Sequence, residues 1–71
     1  MNIREIKAYF NGLTNDVKRV SNKGTLKFYK TRAMNYRDRF SFSGVDSRIK
    51  REVNRGYKRV IETINSMRKK L

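Results

Sequence analysis

Five basic side chains near the C-terminus recur at a spacing that places them on one side of a helix. These residues, which we call the basic rail, are Arg48, Arg51, Arg55, Lys58 and Arg59. Residues 48–59 span about 16 Å of helix at about 1.5 Å per residue, a length that matches several successive phosphates of a nucleic acid. The spacing therefore predicts contacts to a phosphate backbone.

The opposite side of the same helix is predicted to face a core. At about 100° per residue, the apolar side chains and one glycine fall on a single inward seam. The seam consists of Val45, Ile49, Val53, Gly56, Val60, Ile64, Met67 and Leu71. A glycine inside the seam predicts close approach of another helix at Gly56, and a kink is the alternative.

A row of charged residues on a helix is usually a solvated surface. The number of acidic residues around the rail indicates whether the rail is such a surface or a binding site. An ordinary exposed helix places Glu four residues from Lys, which offsets the repulsion between like charges. Here only Glu52 and Glu62 lie nearby in the sequence. The uncompensated repulsion favours a surface that binds a polyanion.

A second group of basic residues lies in the middle of the chain, interleaved with aromatic residues. The basic residues are Lys27, Lys30, Arg32, Arg37 and Arg39, and the aromatic residues are Phe28, Tyr29, Tyr36 and Phe42. Proteins that bind single strands combine cations with stacking aromatics in this way. Helical periodicity assigns Tyr29 and Tyr36 to a core seam, so Phe28 and Phe42 are the better candidates for an exposed contact surface.

The residues that enzymes and metal sites use are scarce. The chain contains no His and no Cys, and its six Asp and Glu residues are scattered without a paired helical spacing. Its four glycines are isolated rather than gathered in a phosphate-binding loop. We therefore expect no enzyme activity, no metal site, no cofactor and no small-molecule substrate.

The charge of the whole chain points to the class of partner. The 71 residues, enough for one domain, carry 19 Lys and Arg against six Asp and Glu, a formal charge of +13. Such a field attracts nucleic acid, acidic protein surfaces and anionic membranes. No run approaches the ~20 apolar residues of a membrane span, and the N-terminus lacks the apolar core of a signal peptide. We expect no membrane partner, and a cytoplasmic or, for a viral protein, virion-internal location.

The first element of the fold is a helix predicted over residues 2–21. Its apolar residues recur at alternating three- and four-residue steps. They are Ile3, Ile6, Phe10, Leu13, Val17 and Val20. Asn2 is expected to cap the start with Glu5 three residues later, and residues 21–24 to end the helix. The Asn-Gly dipeptide at 11–12 could form a tight turn, but the apolar stripe continues in phase through it.

The middle segment fits two structures. Three- and four-residue steps favour a helix over residues 25–40. The residues on those steps are Leu26, Tyr29, Ala33, Tyr36 and Phe40. Alternation over residues 36–43 is instead typical of a strand, and would give a β-hairpin at residues 25–42. The helix is favoured because alternation fails at residues 27–30 and the proposed turn contains no Gly or Pro.

The third helix is predicted over residues 44–70. Ser43 is expected to act as its N-cap, with Asp46 three residues later in an approximate capping box. The fold prediction is an all-α domain of three helices spanning residues 1–71. An α+β domain with the hairpin between two helices is the alternative.

Taken together, these features predict a strongly basic, non-enzymatic protein that binds DNA or RNA largely without sequence specificity. Its small size and its Asn-, Lys- and Ile-rich composition are typical of phage or mobile-element proteins that bind or package nucleic acid. The alternative is a small interaction module or inhibitor that docks a cationic face on an acidic partner. The small core expected of so short a chain also leaves room for a homo-oligomer or a larger assembly.

Overall fold

Three helices make up the described part of the chain, residues 2–41 and 43–71, in a computed structural model. They are α1 (Ile3–Lys18), α2 (Lys23–Asp38) and α3 (Ser47–Lys70). The described residues contain no strand, so the prediction of three helices is confirmed and the hairpin alternative at 25–42 is wrong. The apolar side chains of α2 pack on the two neighbouring helices. The free energy gained from this packing outweighs the preference for a strand that the alternation near residues 36–43 indicates. Phe42 lies outside the described residues.

Asparagine side chains begin the first two helices. Asn2 Oδ1 accepts a hydrogen bond from the backbone N–H of Glu5 at 2.9 Å, as predicted. Asn22 Oδ1 accepts from both the backbone N–H and the hydroxyl of Thr25, each at 3.0 Å. This cap starts α2 two residues earlier than predicted, and α1 ends at Lys18 rather than at residue 21. The segment expected only to end α1 therefore also begins α2.

The predicted start of α3 is wrong by three residues. Asp46, rather than Ser43, is the N-cap, and its Oδ1 accepts from the backbone N–H of Arg48 at 2.8 Å. A carboxylate accepts more strongly than a hydroxyl and carries negative charge beside the positive end of the helix dipole. Val45 therefore lies before the helix and is half-buried, at the edge of the seam to which it was assigned.

The helices pack with α1 and α3 running in the same direction and α2 running against both. Residues near the start of α1 contact α3 near its start, as in the Lys7–Glu52 ion pair, and the end of α2 lies beside the start of α3. The core consists of Ile6, Phe10, Leu13, Val17, Leu26, Ala33, Tyr36, Val53, Val60 and Ile64. All ten lie on the predicted seams. Leu71, which was predicted to lie on the inward seam, is 43% exposed and follows the last helical residue, Lys70.

An aromatic cluster joins α1 to α2. The Tyr9 and Tyr36 rings are stacked with centroids 3.7 Å apart, and Phe10 meets Tyr36 edge-on at 5.3 Å. The pKa of the Tyr36 hydroxyl is raised above its ordinary value, chiefly by burial and then by Tyr9. Tyr9 was missed by the sequence analysis because it lies beside, rather than on, the apolar stripe of α1.

The two helices α1 and α3 approach closely at Gly56. It is buried, and a Cβ atom built on it would lie 2.8 Å from Phe10 Cβ and still closer to the Phe10 ring. The prediction that Gly56 faces inward is confirmed. Gly12 lies inside α1 on its exposed side, so the Asn-Gly turn does not form.

The cap of α2 supplies a first testable prediction. Replacing Asn22 by alanine should lower the free energy of unfolding by about 1 kcal/mol, because the backbone N–H of Thr25 loses its acceptor. Urea unfolding followed by circular dichroism would measure the change. Asn65→Ala, at an exposed position inside α3, is the matched control and should be neutral or slightly stabilising. Equal effects of the two substitutions would contradict the capping role.

Candidate nucleic-acid interface

The basic rail occupies the outer face of α3. All five of its side chains are exposed, whereas Val53, Gly56 and Val60 on the opposite side of the helix are buried. This arrangement follows from the helical period, which turns successive rail residues away from the core. The placement of the rail on one exposed face agrees with the sequence prediction, and its role as a binding site stays a prediction.

Of the acidic residues near the rail, Glu52 pairs with a lysine of α1, whereas Asp46 lies close to a rail residue. Glu52 Oε1 lies 3.9 Å from Lys7 Nζ on α1, and the Glu52 side chain is only 13% exposed. Asp46 Oδ1 lies 3.8 Å from Arg48 Nε while also capping α3. Glu62 is exposed one turn beyond the end of the rail. Arg51, Arg55 and Lys58 have no ion pair with any described residue, so the middle of the rail keeps its full positive charge.

The edge of the rail beside α1 is held in place by a hydrogen bond. Arg59 Nη1 donates to Asn11 Oδ1 at 3.0 Å, across the contact between the two helices. Arg59 and Arg55 also line a small groove over Gly56, with a volume of about 160 Å³, that Lys7 and Asn11 close on the α1 side. The Arg59 guanidinium is therefore partly oriented by α1 before any ligand binds.

Few cations in the molecule are neutralised internally. In the described residues, three of the 19 Lys and Arg side chains lie within 4.0 Å of a carboxylate oxygen, and these three distances are 3.7 to 3.9 Å. Ion pairs of this length on an exposed surface contribute little to stability. The positive field that the composition predicts is therefore left at the surface of the folded chain.

The second predicted group of basic residues is divided between two sides of α2. Lys30 and Arg32 point about 160° apart at 100° per residue. Arg32 lies over the ring of Phe28, 5.4 Å from its centroid. Arg37 lies 4.2 Å from the centroid of Tyr57 on α3 and 3.7 Å from an Asp38 carboxylate oxygen, so part of this side chain packs between helices. These residues do not form one continuous surface.

A groove between α2 and α3 gathers basic residues that the sequence analysis had separated. Its lining includes Lys23, Lys27, Lys30 and Arg68, and its volume is about 520 Å³. Lys23 had been placed in a loop, and Arg68 had been left out of the predicted site. Their proximity depends on the register in which α2 packs against α3. The sequence pattern of neither helix specifies this register by itself.

Among the described aromatic residues, Phe28 is the most exposed. Its side chain is 56% exposed, and its ring meets Tyr29 edge-on at 5.6 Å. Tyr29 and Phe40 are half-buried against the core, as their positions on the seam predicted. Phe28 therefore remains the candidate for stacking against a base or a partner.

Other classes of site find little support among residues 2–41 and 43–71. No helix there is long and apolar enough to cross a membrane. No group of three acidic residues in the same ranges lies close enough together to hold a metal ion. Comparison of the chain with protein-family models, with curated proteins and with solved structures finds no match.

Proposed function

We propose that this protein binds nucleic acid through the phosphate backbone, without catalysis and largely without sequence specificity, and that the basic rail is the main contact. The observation that carries the proposal is the arrangement of the rail: five exposed cations lie on about 16 Å of one helix, with Glu52 paired to Lys7. A surface with this much uncompensated charge gains most from a ligand that supplies regularly spaced anions.

The geometry of the rail favours phosphate contact over base reading. Four of its five residues are arginines, whose planar guanidinium groups donate paired hydrogen bonds to phosphate oxygens. The amide of Asn11, which could read a base edge, already accepts from Arg59. Contacts of this kind position a protein on a backbone but carry no sequence information.

The expected locations of such a protein are the cytoplasm and, if it is viral, the interior of a virion.

A salt titration tests the proposal. If about five phosphates are neutralised, log affinity for duplex DNA should fall against log salt concentration with a slope of about −4 to −5. Fluorescence anisotropy with two labelled duplexes of unrelated sequence would measure the slope, which should be the same for both. A labelled single-stranded RNA would give a shallower slope for the same number of contacts.

An acidic protein partner is the competing explanation of the charge. In that case the chain would bind polyglutamate as tightly as duplex DNA of equal charge. Non-specific electrostatic attraction to a polyanion depends on the charge density of the polyanion rather than on the geometry of its phosphates. Failure to bind any nucleic acid at low salt would contradict the proposed function and move the acidic-partner explanation to first place.

A further inference from the structure

The groove between α2 and α3 has the chemistry of a phosphate site in its own right. Three lysines from the first two turns of α2 and one arginine from the last turn of α3 line it, and no described residue of the lining is acidic. The remaining lining residues include Thr31 and the exposed Met34. Four cations around one groove repel each other, and a bound anion would relieve that repulsion.

This groove and the basic rail face different directions. On α3, Arg68 lies about 20 Å along the helix axis from Arg55 and is turned about 140° around the axis from it. Glu62, which is exposed, interrupts the cations between the end of the rail and Arg68. A straight stretch of backbone seated along the rail would therefore leave the groove open to solvent.

We propose that the groove is a second phosphate-binding surface, and that one chain thereby holds two nucleic-acid segments together. This inference rests on the proposed function, and it adds that the protein bridges nucleic acid rather than only coating it. The two segments belong either to distant parts of one molecule or to two molecules.

The charge and shape of the chain support a second segment. Neutralising about five phosphates at the rail leaves most of the formal charge of +13 unbalanced, much of it at the groove. The body measures 39 × 19 × 14 Å, so two segments on its different sides would be held close together. The two negatively charged segments repel each other, and this repulsion is offset only where cations lie between them. The cations of this chain would lie between the two segments.

A bead assay separates bridging from simple binding. An unlabelled duplex is fixed to beads, the full-length chain is added in substoichiometric amount, and capture of a second, fluorescent duplex is measured at low salt. Affinity for a single free duplex is measured in parallel by anisotropy. The wild-type chain should capture the second duplex, because its groove remains free after the rail has bound.

The decisive variant is Lys27→Gln with Lys30→Gln. Both lysines are exposed, so the fold should be unaffected. Capture should fall by about fivefold or more, whereas affinity for a single duplex should change by less than about threefold, because the rail is intact. Arg4→Gln with Arg19→Gln removes the same charge at or beside α1, outside both surfaces, and should leave capture within about twofold of wild type.

Several results would overturn the inference while leaving the proposed function standing. Capture retained by the lysine variant would show that bridging uses another route, such as two rails in a dimer. An equal loss of single-duplex affinity in the lysine variant and in a rail variant would show that one segment spans both surfaces. Binding of a single duplex without any capture would show that the groove takes no second segment. Absence of single-duplex binding would overturn both the inference and the proposed function.

Discussion

Gly56→Leu should lower the free energy of unfolding by about 3 kcal/mol, the upper part of the range for overpacked cores. The first added atom, Cβ, would already lie 2.8 Å from Phe10 Cβ, which is anchored to the α1 backbone and cannot swing aside. The remaining atoms of leucine would have to push α1 away from α3. Thermal and urea unfolding, followed by circular dichroism, would measure the loss.

The chain offers a matched control for this prediction. Gly12 also lies inside a helix, but no described atom apart from its neighbours and its own helix backbone lies within 4 Å of a Cβ built there. Gly12→Leu should therefore raise stability by about 0.5 to 1 kcal/mol through helix propensity alone. Alanine at each position refines the test, because even Gly56→Ala should destabilise while Gly12→Ala should stabilise. A stabilising effect at both positions would contradict the packing role of Gly56.

Arg51→Gln with Arg55→Gln should reduce the salt slope of duplex binding by about two units, since two phosphate contacts are lost. At about 0.1 M salt the same loss corresponds to a decrease in affinity on the order of 50-fold. Neither arginine has an ion pair with a described residue, and both are exposed, so the variant should remain helical and equally stable. Anisotropy across a salt series, with circular dichroism of the same samples, would measure both properties.

A variant that loses the same charge outside the rail is the control for this prediction. Lys27→Gln with Lys30→Gln removes two cations from the groove between α2 and α3 and should change the slope by less than about one unit. If the rail variant keeps the wild-type slope, the rail is only a solvated face. If instead the lysine variant loses the larger number of contacts, the groove rather than the rail is the main site.

Which side of each helix is buried can be predicted from the spacing of the apolar residues alone. Ile6, Phe10 and Val17 recur on one stripe, as do Val53, Val60 and Ile64, and each stripe is buried in the folded chain. The same period places the rail residues opposite the α3 stripe, so their exposure also follows from local spacing. Side chains three and four residues apart share a helix face whatever the helix packs against, which is why these features are readable without a structure.

Helix boundaries were less readable because two signals compete within a few residues. Residues 21–24 contain features that end one helix and an asparagine that starts the next, and the hydrogen bond between Asn22 and Thr25 shows where the second helix begins. Ser43 and Asp46 compete in the same way for the start of α3, where Asp46 is the residue that accepts from Arg48. A difference of about 1 kcal/mol between alternative caps is enough to move a boundary by several residues.

The contacts between residues of different helices could not be predicted from the sequence, because they depend on how the helices pack. The tertiary structure brings Lys23, Lys27 and Lys30 to Arg68, stacks Arg37 on Tyr57, and places Glu52 3.9 Å from Lys7 of α1. These contacts depend on how far each helix slides along its neighbours and how it rotates against them. That register is set by the fit of particular side chains, such as Phe10 against Gly56, and not by the period of any one helix.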